Sequence, residues 1–314
     1  MKYKIFVDGQ EGTTGLEINK RLENRDDIEL LKIDPDKKKD LNERGKFINE
    51  ADVVFLCLPD DAAREAVSLV NNPSTRIIDA STAHRTVGGW DYGIPELSDD
   101  HRRAISVSKR VSVPGCFASG FNMIMYPLVK EGIVPADYPV SCHSVTGYSG
   151  GGRMLIERYQ SPENKQKLES PCFYALGLGH KHLPEMQKHS GLLNHPLFTP
   201  IVSNYYRGMT VAVPIFPKLL NKKANASDIH KFYSNYYGNQ KFVKVMPQNS
   251  QNDLEWGFLN AQRCNFTNNI EIYVFGNDDQ ILITAVLDNL GKGASGAAVQ
   301  NMNIMLGIDE TYGL

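Results

Sequence analysis

The sequence predicts an α/β fold with a doubly wound parallel sheet, followed by an α+β domain whose sheet is mostly antiparallel. Two observations predict this. A strand, a glycine turn and a helix open the chain, and β and α segments alternate to about residue 115. From about residue 133, strands that alternate polar and apolar residues dominate and helices become sparse. We therefore expect two domains, 1–115 and 116–292.

Composition narrows the class of protein. The 314 residues are 41% hydrophobic and 22% charged with a net charge of −2, so we expect a packed core and neither a nucleic-acid nor a membrane partner. Five widely spaced cysteines without a Cys-x-x-Cys pair argue against disulfides and zinc, and favour a reducing cytoplasm. The chain opens directly with a strand and has no apolar run of about 20 residues, so we expect neither a signal peptide nor a membrane span.

The opening strand, Lys4 to Asp8, leads into a glycine turn. Its glycines are Gly9, Gly12 and Gly15, with Thr13 and Thr14 between the last two, and a helical run begins at Leu16. Glycines let a backbone approach a pyrophosphate, whose charge the helix N-terminus stabilises. The spacing differs from the usual G-x-G-x-x-G, so the alternative is a tight βα turn with no ligand. We predict a Rossmann-type cofactor site here.

The second strand is predicted over Ile28–Asp34 and bears on cofactor choice. Asp34 follows Gly15 by roughly 20 residues, where NAD enzymes place the carboxylate that binds the ribose 2′-hydroxyl. Lys37, Lys38 and Lys39 follow immediately and would suit a 2′-phosphate instead. The residues therefore leave NAD and NADP both open.

Next come a buried strand within residues 52–59, a helix over 61–70 and a strand over 76–79. Ligands gather beyond the carboxyl ends of the strands of such a sheet. We therefore expect Ser81 and Cys116, which both follow strand ends, to face a ligand.

Cys116 lies in Val113-Pro-Gly-Cys-Phe-Ala-Ser-Gly-Phe, after the β-prone runs 105–108 and 111–113. Apolar residues behind it recur at helical spacing to about Lys130. Cys116 would then start a helix, where unpaired N–H groups and the macrodipole lower a thiol pKa. A buried core cysteine is the alternative to a nucleophile.

A second polar cluster is His180-Lys-His182 before Leu-Pro184-Glu. Pro184 suits a first helical position, which predicts an extended lead-in with His180 and His182 on one side. A general acid/base serving Cys116 is the sharper interpretation. A metal pair, which lacks an evident third ligand, and plain structural histidines are the alternatives.

In the second domain we predict strands over 140–146, 210–216, 270–275 and 280–288. The helix among them would start at Ser227-Asp228, with Ile229, Phe232 and Tyr236 on its inner stripe.

Seven motifs follow one another along the chain: the glycine turn, Asp-Ala-Ser-Thr-Ala-His-Arg, Pro-Gly-Cys-Phe, Gly-Tyr-Ser-Gly-Gly-Gly-Arg, His-Lys-His-Leu-Pro-Glu, Arg-Gly-Met-Thr and Asp-Asn-Leu-Gly-Lys-Gly-Ala-Ser-Gly. Over its whole length the chain resembles the short-form N-acetyl-γ-glutamyl-phosphate reductases. Pro-Gly-Cys, His-x-His-x-Pro-Glu and the closing Asn-Leu-Gly-Lys-Gly-Ala segment together separate them from the related aspartate-semialdehyde dehydrogenases, which share the architecture and the cysteine.

The resemblance implies a reaction. Cys116 would attack an acyl phosphate, expel phosphate and form a thioester, which NADPH then reduces to the semialdehyde. His180 would shuttle the proton, with His182 the close second. Arg85 and Arg207 would hold phosphate and carboxylate groups.

The resemblance also assigns further residues. Arg153 or Lys181 would assist in binding the anions. The cofactor would contact residues of the glycine turn and of later loops, namely Gly9, Gly12, Thr13, Thr14, Gly15, Ser81, Gly147, Ser149, Gly150 and, at the carboxamide, Asn289. A final helix over 293–314 would complete the first domain, and the second would build a homodimer or homotetramer.

Three alternatives stay open. One is a reductase of the aspartate-semialdehyde dehydrogenase type acting on aspartyl phosphate. Another is an NADP-binding sensor without catalysis. The third is a cysteine acyltransferase or hydrolase that keeps the glycine turn only as scaffolding.

Overall fold

The computed structural model describes residues 2–250 and 254–314, so Met1, the first residue of the predicted first domain, lies outside the described residues. Contacts divide the chain into two compact units. Unit 1 contains the described residues up to Gly115 together with Ala294–Leu314. Unit 2 contains the described residues of Cys116–Gly293.

Unit 1 is a parallel sheet with helices on both faces. Its strands are β1 (Tyr3–Asp8), β2 (Ile28–Leu31), β3 (Val53–Leu56), β4 (Arg76–Asp79), β5 (Asp91–Tyr92) and β6 (Arg110–Ser112). Its helices are α1 (Thr13–Leu22), α2 (Leu41–Glu50), α3 (Asp60–Ser68), α4 (Asp99–Val107) and the last helix of the chain, α9 (Gly296–Leu306).

The strand order is β2-β1-β3-β4-β6-β5, and every pairing is parallel. β1 lies between β2 and β3, so the connection that leaves β1 for β2 and the one that leaves β3 for β4 run in opposite directions. Such a point opens a crevice beyond the carboxyl ends of the two central strands. The glycine turn after Asp8 lies at that edge.

The strands of this sheet are apolar on both sides because each face has its own core. One core joins residues of α1, α4 and α9, such as Ile18, Ile105 and Met302, to the sheet. The other joins Ile48 of α2 and Ala63 of α3 to the opposite face. The continuous apolar run of β3 is therefore buried on both sides.

One predicted β-prone run in this unit is wrong. Residues 105–107 end α4, whose N-cap Ser98 accepts a hydrogen bond from the backbone of His101. Asp99 and Asp100 in the first turn also favour a helix start. These helix signals lie six residues upstream of the β-branched run and outweigh its local preference.

Unit 2 is a mixed, mostly antiparallel sheet with helices. The order is β11-β12-β13-β10-β7-β9-β8, with parallel pairing only for β7–β9 and β11–β12 among the described strands. The strands are β7 (Ser141–Gly147), β8 (Cys172–Phe173), β9 (Leu197–Ser203), β10 (Met209–Ile215), β11 (Val243–Val245), β12 (Ile270–Gly276) and β13 (Ile281–Leu287). The helices are α5 (Cys116–Lys130), α6 (Gly152–Gln160), α7 (Leu183–Ser190) and α8 (Ala226–Tyr237).

Helix α5 lies directly on the sheet at Gly120. A Cβ added there would come 2.7 Å from the Val211 side chain of β10. Helix α8 packs on α5 through two tyrosines: Tyr233 donates to the carbonyl of Ile124 at 2.6 Å, and Tyr237 to that of Met123 at 2.6 Å. The helix that begins with Cys116 is thus fixed on two sides.

Two details predicted for α8 are wrong. Its N-cap is Asn225, whose side chain and that of Asp228 form a reciprocal capping box, so the helix starts before Ser227. Its buried stripe is Ile229, Tyr233 and Tyr237, whereas Phe232 and Tyr236 are only half-buried. The tyrosine hydroxyls can be buried because α5 supplies carbonyl acceptors.

No helix in the described parts of the chain is both long and apolar enough to cross a membrane. Residues 2–250 and 254–314 also contain no group of three or more His, Cys, Asp or Glu side chains placed to hold a metal ion.

Candidate active site

In unit 1 the glycine turn is shaped by close backbone contacts. Gly9 has a φ of +91°, and a Cβ added to it would lie 2.3 Å from the carbonyl oxygen of Cys57. A Cβ on Gly15 would lie 2.4 Å from the oxygen of Gly9, whereas one on Gly12 would meet nothing nearer than 3.6 Å. A Cβ on Gly12, which directly precedes the first turn of α1, would therefore make only ordinary van der Waals contacts. Gly12 adds no side-chain cap to that helix, so the turn suits a phosphate group.

A buried ion pair supports the strand that carries this turn. Arg44 of α2 donates from Nε and Nη2 to Asp8 Oδ2 at 3.1 and 2.9 Å, and its Nη1 lies 3.0 Å from Glu65. Burial raises the pKa of Asp8, and the Arg44 guanidinium opposes that rise. The pair fixes the residue immediately before Gly9.

Asp34 and the lysines after it, the two alternatives for binding the adenosine end of the cofactor, make contacts with nearby residues. Asp34 is exposed, and its Oδ1 accepts the backbone N–H of Asp36 at 3.0 Å, which caps a 3₁₀ turn. Lys38 Nζ lies 2.6 Å from Glu11 Oε1, inside the glycine turn. β2 ends at Leu31, so the predicted strand over 28–34 is three residues too long.

Ser81 organises the loop after β4 rather than projecting from it. Asp79 accepts its hydroxyl at 2.7 Å and its N–H at 2.9 Å, and also binds His84 Nδ1 at 2.6 Å. Arg85 is 8% exposed, and its guanidinium donates to the carbonyls of Val113 at 2.9 Å and Ala80 at 3.1 Å. These bonds fix the guanidinium to the backbone.

In unit 2 Cys116 is the first residue of α5, and its side chain is partly exposed. The helix dipole at this position favours a thiolate. Three other cysteines are poor nucleophiles: burial raises the pKa of Cys142 and of Cys264 to about 12, and raises that of Cys57 further. Cys116 alone of the five stands at a helix start.

The predicted histidine pair lies against the residue after the cysteine. The rings of His180 and His182 are each 5.7 Å from the ring of Phe117 and 4.7 Å from each other. Their predicted extended lead-in is wrong, because Leu183 N–H donates to the carbonyl of His180 and His182 has helical dihedral angles. A turn, rather than an extended strand, brings the rings together.

This turn also sets the tautomer of one ring. The backbone N–H of His182 donates to His180 Nδ1 at 3.1 Å. A ring nitrogen that accepts a hydrogen bond carries no proton, so neutral His180 has its proton on Nε2. His182 is 5% exposed and forms the N-cap of α7.

Arg207, the second arginine predicted to bind an anion, lies in unit 2. It is 5% exposed, and its Nη1 lies 3.4 Å from Oδ2 of Asp288, which is fully buried. The ring of Phe266 covers the guanidinium, with Cζ 4.6 Å from the ring centroid. The neighbouring Gly208 has a φ of +107° and leaves no room for a Cβ, which would meet Ala261 O at 2.6 Å.

A short turn joins Arg207's partner to the cysteine. Gly293 N–H donates to the backbone carbonyl of Asp288 at 2.9 Å. A Cβ on Gly293 would lie 2.8 Å from the Cβ of Cys116, so the two residues are in close contact. Gly293 therefore links the cysteine to the Arg207–Asp288 pair within unit 2.

Asn289 connects two loops of the same unit. Its oxygen accepts Gly208 N–H at 2.8 Å, and its nitrogen donates to Ser149 Oγ at 3.0 Å. Gly147 lies against the carbonyls of Tyr205 and Tyr206, where a Cβ would come within 2.7 Å. A Cβ on Gly150 would lie 3.5 Å from the Asn289 nitrogen, which places that glycine beside the same amide.

Two assisting cations remain on the surface. Arg153 lies on α6, and its Nε is 2.7 Å from Glu157 Oε1 with the side chain 79% exposed. Lys181 is exposed in the turn between the two histidines.

Comparison with known families covers both units. A model described as semialdehyde dehydrogenase, NAD binding domain, matches residues 4–105, and one described as semialdehyde dehydrogenase, dimerisation domain, matches residues 116–289. The chain is 49% identical over 320 residues to N-acetyl-gamma-glutamyl-phosphate reductase 2 of Nostoc sp., covering 100% of this chain and 99% of that protein. It is 44% identical to the Pseudomonas putida reductase of the same name, covering 98% of each. The chain belongs to the N-acetyl-γ-glutamyl-phosphate reductase family.

Solved structures show the same fold for this family member. The aspartate semialdehyde dehydrogenase of Francisella tularensis matches with a TM-score of 0.72 at 15% identity, over 97% of this chain and 100% of that one. Aspartate semialdehyde dehydrogenase II of Vibrio cholerae gives 0.70 at 13% identity, over 98% and 99%. The family matches support a nicotinamide cofactor and an oligomer.

Sequence reasoning missed three residues of this reductase. Tyr174 lies next to His180, with ring centroids 5.9 Å apart, and burial together with the nearby charge of Cys116 raises its pKa. Phe266 and Asp288 hold Arg207. Asp288 directly precedes Asn289 in a quoted motif, so it could have been found, whereas Tyr174 and Phe266 lie outside every motif.

Proposed function

We propose that the protein reduces N-acetyl-γ-glutamyl phosphate to N-acetylglutamate 5-semialdehyde with NADPH and releases phosphate, a step of arginine biosynthesis. Relatives that share 43–49% of their residues with this chain carry the name of that reductase. The observation that carries the proposal is Cys116 at the start of α5, with the rings of His180 and His182 each 5.7 Å from Phe117. A thiol nucleophile and a histidine are the groups that acyl transfer requires.

The residues of the glycine turn fit the cofactor's pyrophosphate. A Cβ on Gly12 would meet nothing nearer than 3.6 Å, and Thr13 and Thr14 begin a helix whose N-cap brings no side-chain hydrogen bond. Ser81, Ser149 and Gly150 would border the nicotinamide. Asn289 would hold Ser149 and Gly150 in place, and it would also contact the carboxamide of the cofactor. When bound, the cofactor supplies the hydride that reduces the thioester.

We propose NADP rather than NAD. Lys37 and Lys39 are exposed directly after β2, and Lys38 joins that loop to the glycine turn through Glu11. Asp34 already caps its own turn, which favours a phosphate-binding over a ribose-binding loop. Tighter binding of 2′,5′-ADP than of ADP would support this assignment, and equal binding would contradict it.

The first chemical step belongs to Cys116. Its thiolate attacks the acyl carbon, a C–S bond forms, and the C–O bond to phosphate breaks with its electron pair leaving on phosphate. Arg85 would hold the phosphate and Arg207 the α-carboxylate, with Arg153 or Lys181 assisting, because guanidinium groups bind both anions through paired hydrogen bonds.

The second step belongs to the histidines. Reduction of the thioester carbon places an electron pair on its oxygen, which takes up one proton. His180 would meet that oxygen with Nε2–H, the end of the ring left by its Nδ1 bond, and His182 is the second candidate for the proton. The hemithioacetal then returns this proton to the histidine as its C=O bond re-forms and its C–S bond breaks, so the aldehyde leaves and the Cys116 thiolate returns.

The test uses the reverse reaction. N-acetylglutamate 5-semialdehyde, phosphate and NADP⁺ should give NADPH only when all three are present. Aspartate semialdehyde is the matched competitor, and a larger kcat/KM with it would replace the proposed substrate. NADP⁺ reduction without phosphate would contradict the acyl-phosphate chemistry.

We also propose a homodimer or homotetramer built on the outer face of the unit 2 sheet. Alternate residues of β7 and β9, including His143, Thr199 and Ile201, are partly or fully exposed on that face. Sedimentation at several concentrations measures the oligomeric state, and a monomer at all of them would refute the proposed oligomer.

All five cysteines are free thiols, which fits a reducing cytoplasm.

A further inference from the structure

Phe266 has an unusual backbone conformation and an unusually exposed side chain. Its φ is +63°, a region that bulky residues rarely adopt, and its side chain is 78% exposed. Its N–H donates to Asp288 Oδ2 at 2.8 Å, which holds the strained backbone in place. Strain of this kind persists only where the surroundings fix it, and it concentrates at functional sites.

The strain places an aromatic ring on the arginine. Asp288 Oδ2 accepts from Phe266 and lies 3.4 Å from Arg207 Nη1, so one buried oxygen fixes both residues. The ring centroid is 4.6 Å from Arg207 Cζ. Gln262 and Asn265 also donate to the Arg207 carbonyl, so the loop is bonded to the arginine at two residues just before the ring.

The same elements lead to the nucleophile. The backbone of Asp288 holds Gly293, and Gly293 is in close contact with Cys116. The exposed ring on Arg207 is therefore connected to the predicted nucleophile through Asp288 and Gly293.

The substrate's own chemistry then identifies what the ring meets; this step rests on the proposed function. In N-acetylglutamyl phosphate, the α-carboxylate and the acetamido group are bonded to the same carbon. A carboxylate held by Arg207 therefore brings the acetamido group next to whatever covers that guanidinium. We propose that Phe266 is the residue that recognises the N-acyl substituent, through contact of its ring with the acetyl methyl and amide plane.

The experiment compares two semialdehydes that differ by one methyl group, N-acetyl and N-formyl glutamate semialdehyde. For wild-type protein we expect kcat/KM to favour the acetyl substrate by roughly tenfold, the contribution of one such group in an apolar contact. Phe266→Leu should raise KM for the acetyl substrate and bring this ratio towards one, with the KM for phosphate unchanged. Phe258→Leu is the control, because Phe258 is also exposed, at 72%, in unit 2.

Phe266→Gly keeps the test valid if the leucine variant folds poorly, since glycine adopts a positive φ without strain. It should lose the same preference at an unchanged or higher melting temperature. An acetyl-to-formyl ratio that stays at its wild-type value in both variants would overturn the inference. Wild-type protein that turns over neither semialdehyde would instead remove the proposed function, and this inference with it.

Discussion

The glycine turn of unit 1 and the cysteine cluster of unit 2 present a ligand with different kinds of group. The turn offers backbone N–H groups at the start of α1, and it is built from seven consecutive residues after Asp8, up to Gly15. The cluster offers side chains, and Cys116, His180, Arg207 and Phe266 come from four separate segments. A site made of backbone groups needs room for the ligand to approach the backbone. A site made of side chains needs long-range contacts that hold each side chain in place.

The largest effect should come from the group that forms the covalent bond. Cys116→Ala should lower kcat by at least about 10⁴-fold, as loss of a nucleophile does in other covalent enzymes. Binding of NADPH, followed by its fluorescence, should remain because the glycine turn lies in unit 1. Cys172→Ala is the control, a partly exposed thiol of unit 2 that bonds only to the Ser170 carbonyl among the bonds described. Equal loss in both variants would contradict a nucleophilic Cys116.

The next effect separates two roles for His180. Loss of a proton-transfer or hydrogen-bonding group in the reaction costs about 10²- to 10⁴-fold. If the ring acts by donating from Nε2, His180→Gln should retain at least about tenfold more kcat than His180→Ala, since the Gln amide donates from a similar position. His195→Gln, at an exposed position of the same unit, should leave kcat unchanged. Equal loss in the two His180 variants would instead favour true proton transfer by this ring.

These side-chain contacts set the limit of prediction from sequence. The helix from Cys116 to Lys130 was predictable because its signals, a Pro-Gly break and apolar residues at helical spacing, are all local. The contact of Phe266 with Arg207 spans about 60 residues and leaves no pattern in either segment. Likewise, a turn closed by Leu183 and His180 unites the histidines, and its single hydrogen bond has no signature in the sequence.

In unit 1, local sequence signals determine more of the structure than long-range contacts do. The βα turn and its alternating elements follow from contiguous residues, so its sheet and turn could be predicted. Two predictions failed there: β2 ends three residues earlier than predicted, and residues 105–107 are the end of a helix that starts from Ser98. Propensity describes one residue at a time, and the cap and amphipathic face of α4 outweigh it.

Space, rather than side-chain chemistry, should govern variants of the glycine turn. Gly9→Ala brings a Cβ to 2.3 Å from the Cys57 carbonyl at a φ of +91°, so it should destabilise unit 1 by about 3 kcal/mol or more. Gly12→Ala has room, with 3.6 Å to its nearest atom, so melting should be unchanged while the dissociation constant for NADPH rises at least about tenfold. Thermal melting and fluorescence titration measure the two effects. Tight NADPH binding by Gly12→Ala would place the phosphates elsewhere.

The smallest effect concerns how unit 2 holds the helix that starts at Cys116. Pro127 lies inside α5 and has no N–H, so it cannot donate to the carbonyl of Met123 four residues earlier. Tyr237 of α8 donates its hydroxyl to that carbonyl at 2.6 Å and is 1% exposed. Tyr237→Phe leaves a buried carbonyl without this donor, which should cost about 1–3 kcal/mol of unfolding free energy, or about 2–4 °C in melting temperature per kcal/mol.

Tyr206→Phe is the matched control, since Tyr206 is 40% exposed and its hydroxyl makes no hydrogen bond among those described. NADPH binding should be unaffected by either variant. If Tyr237→Phe melts with wild-type protein, another group must satisfy the Met123 carbonyl. In that case α5, like the glycine turn, would not depend on this long-range contact. The two units would then differ only in the groups that they present to a ligand.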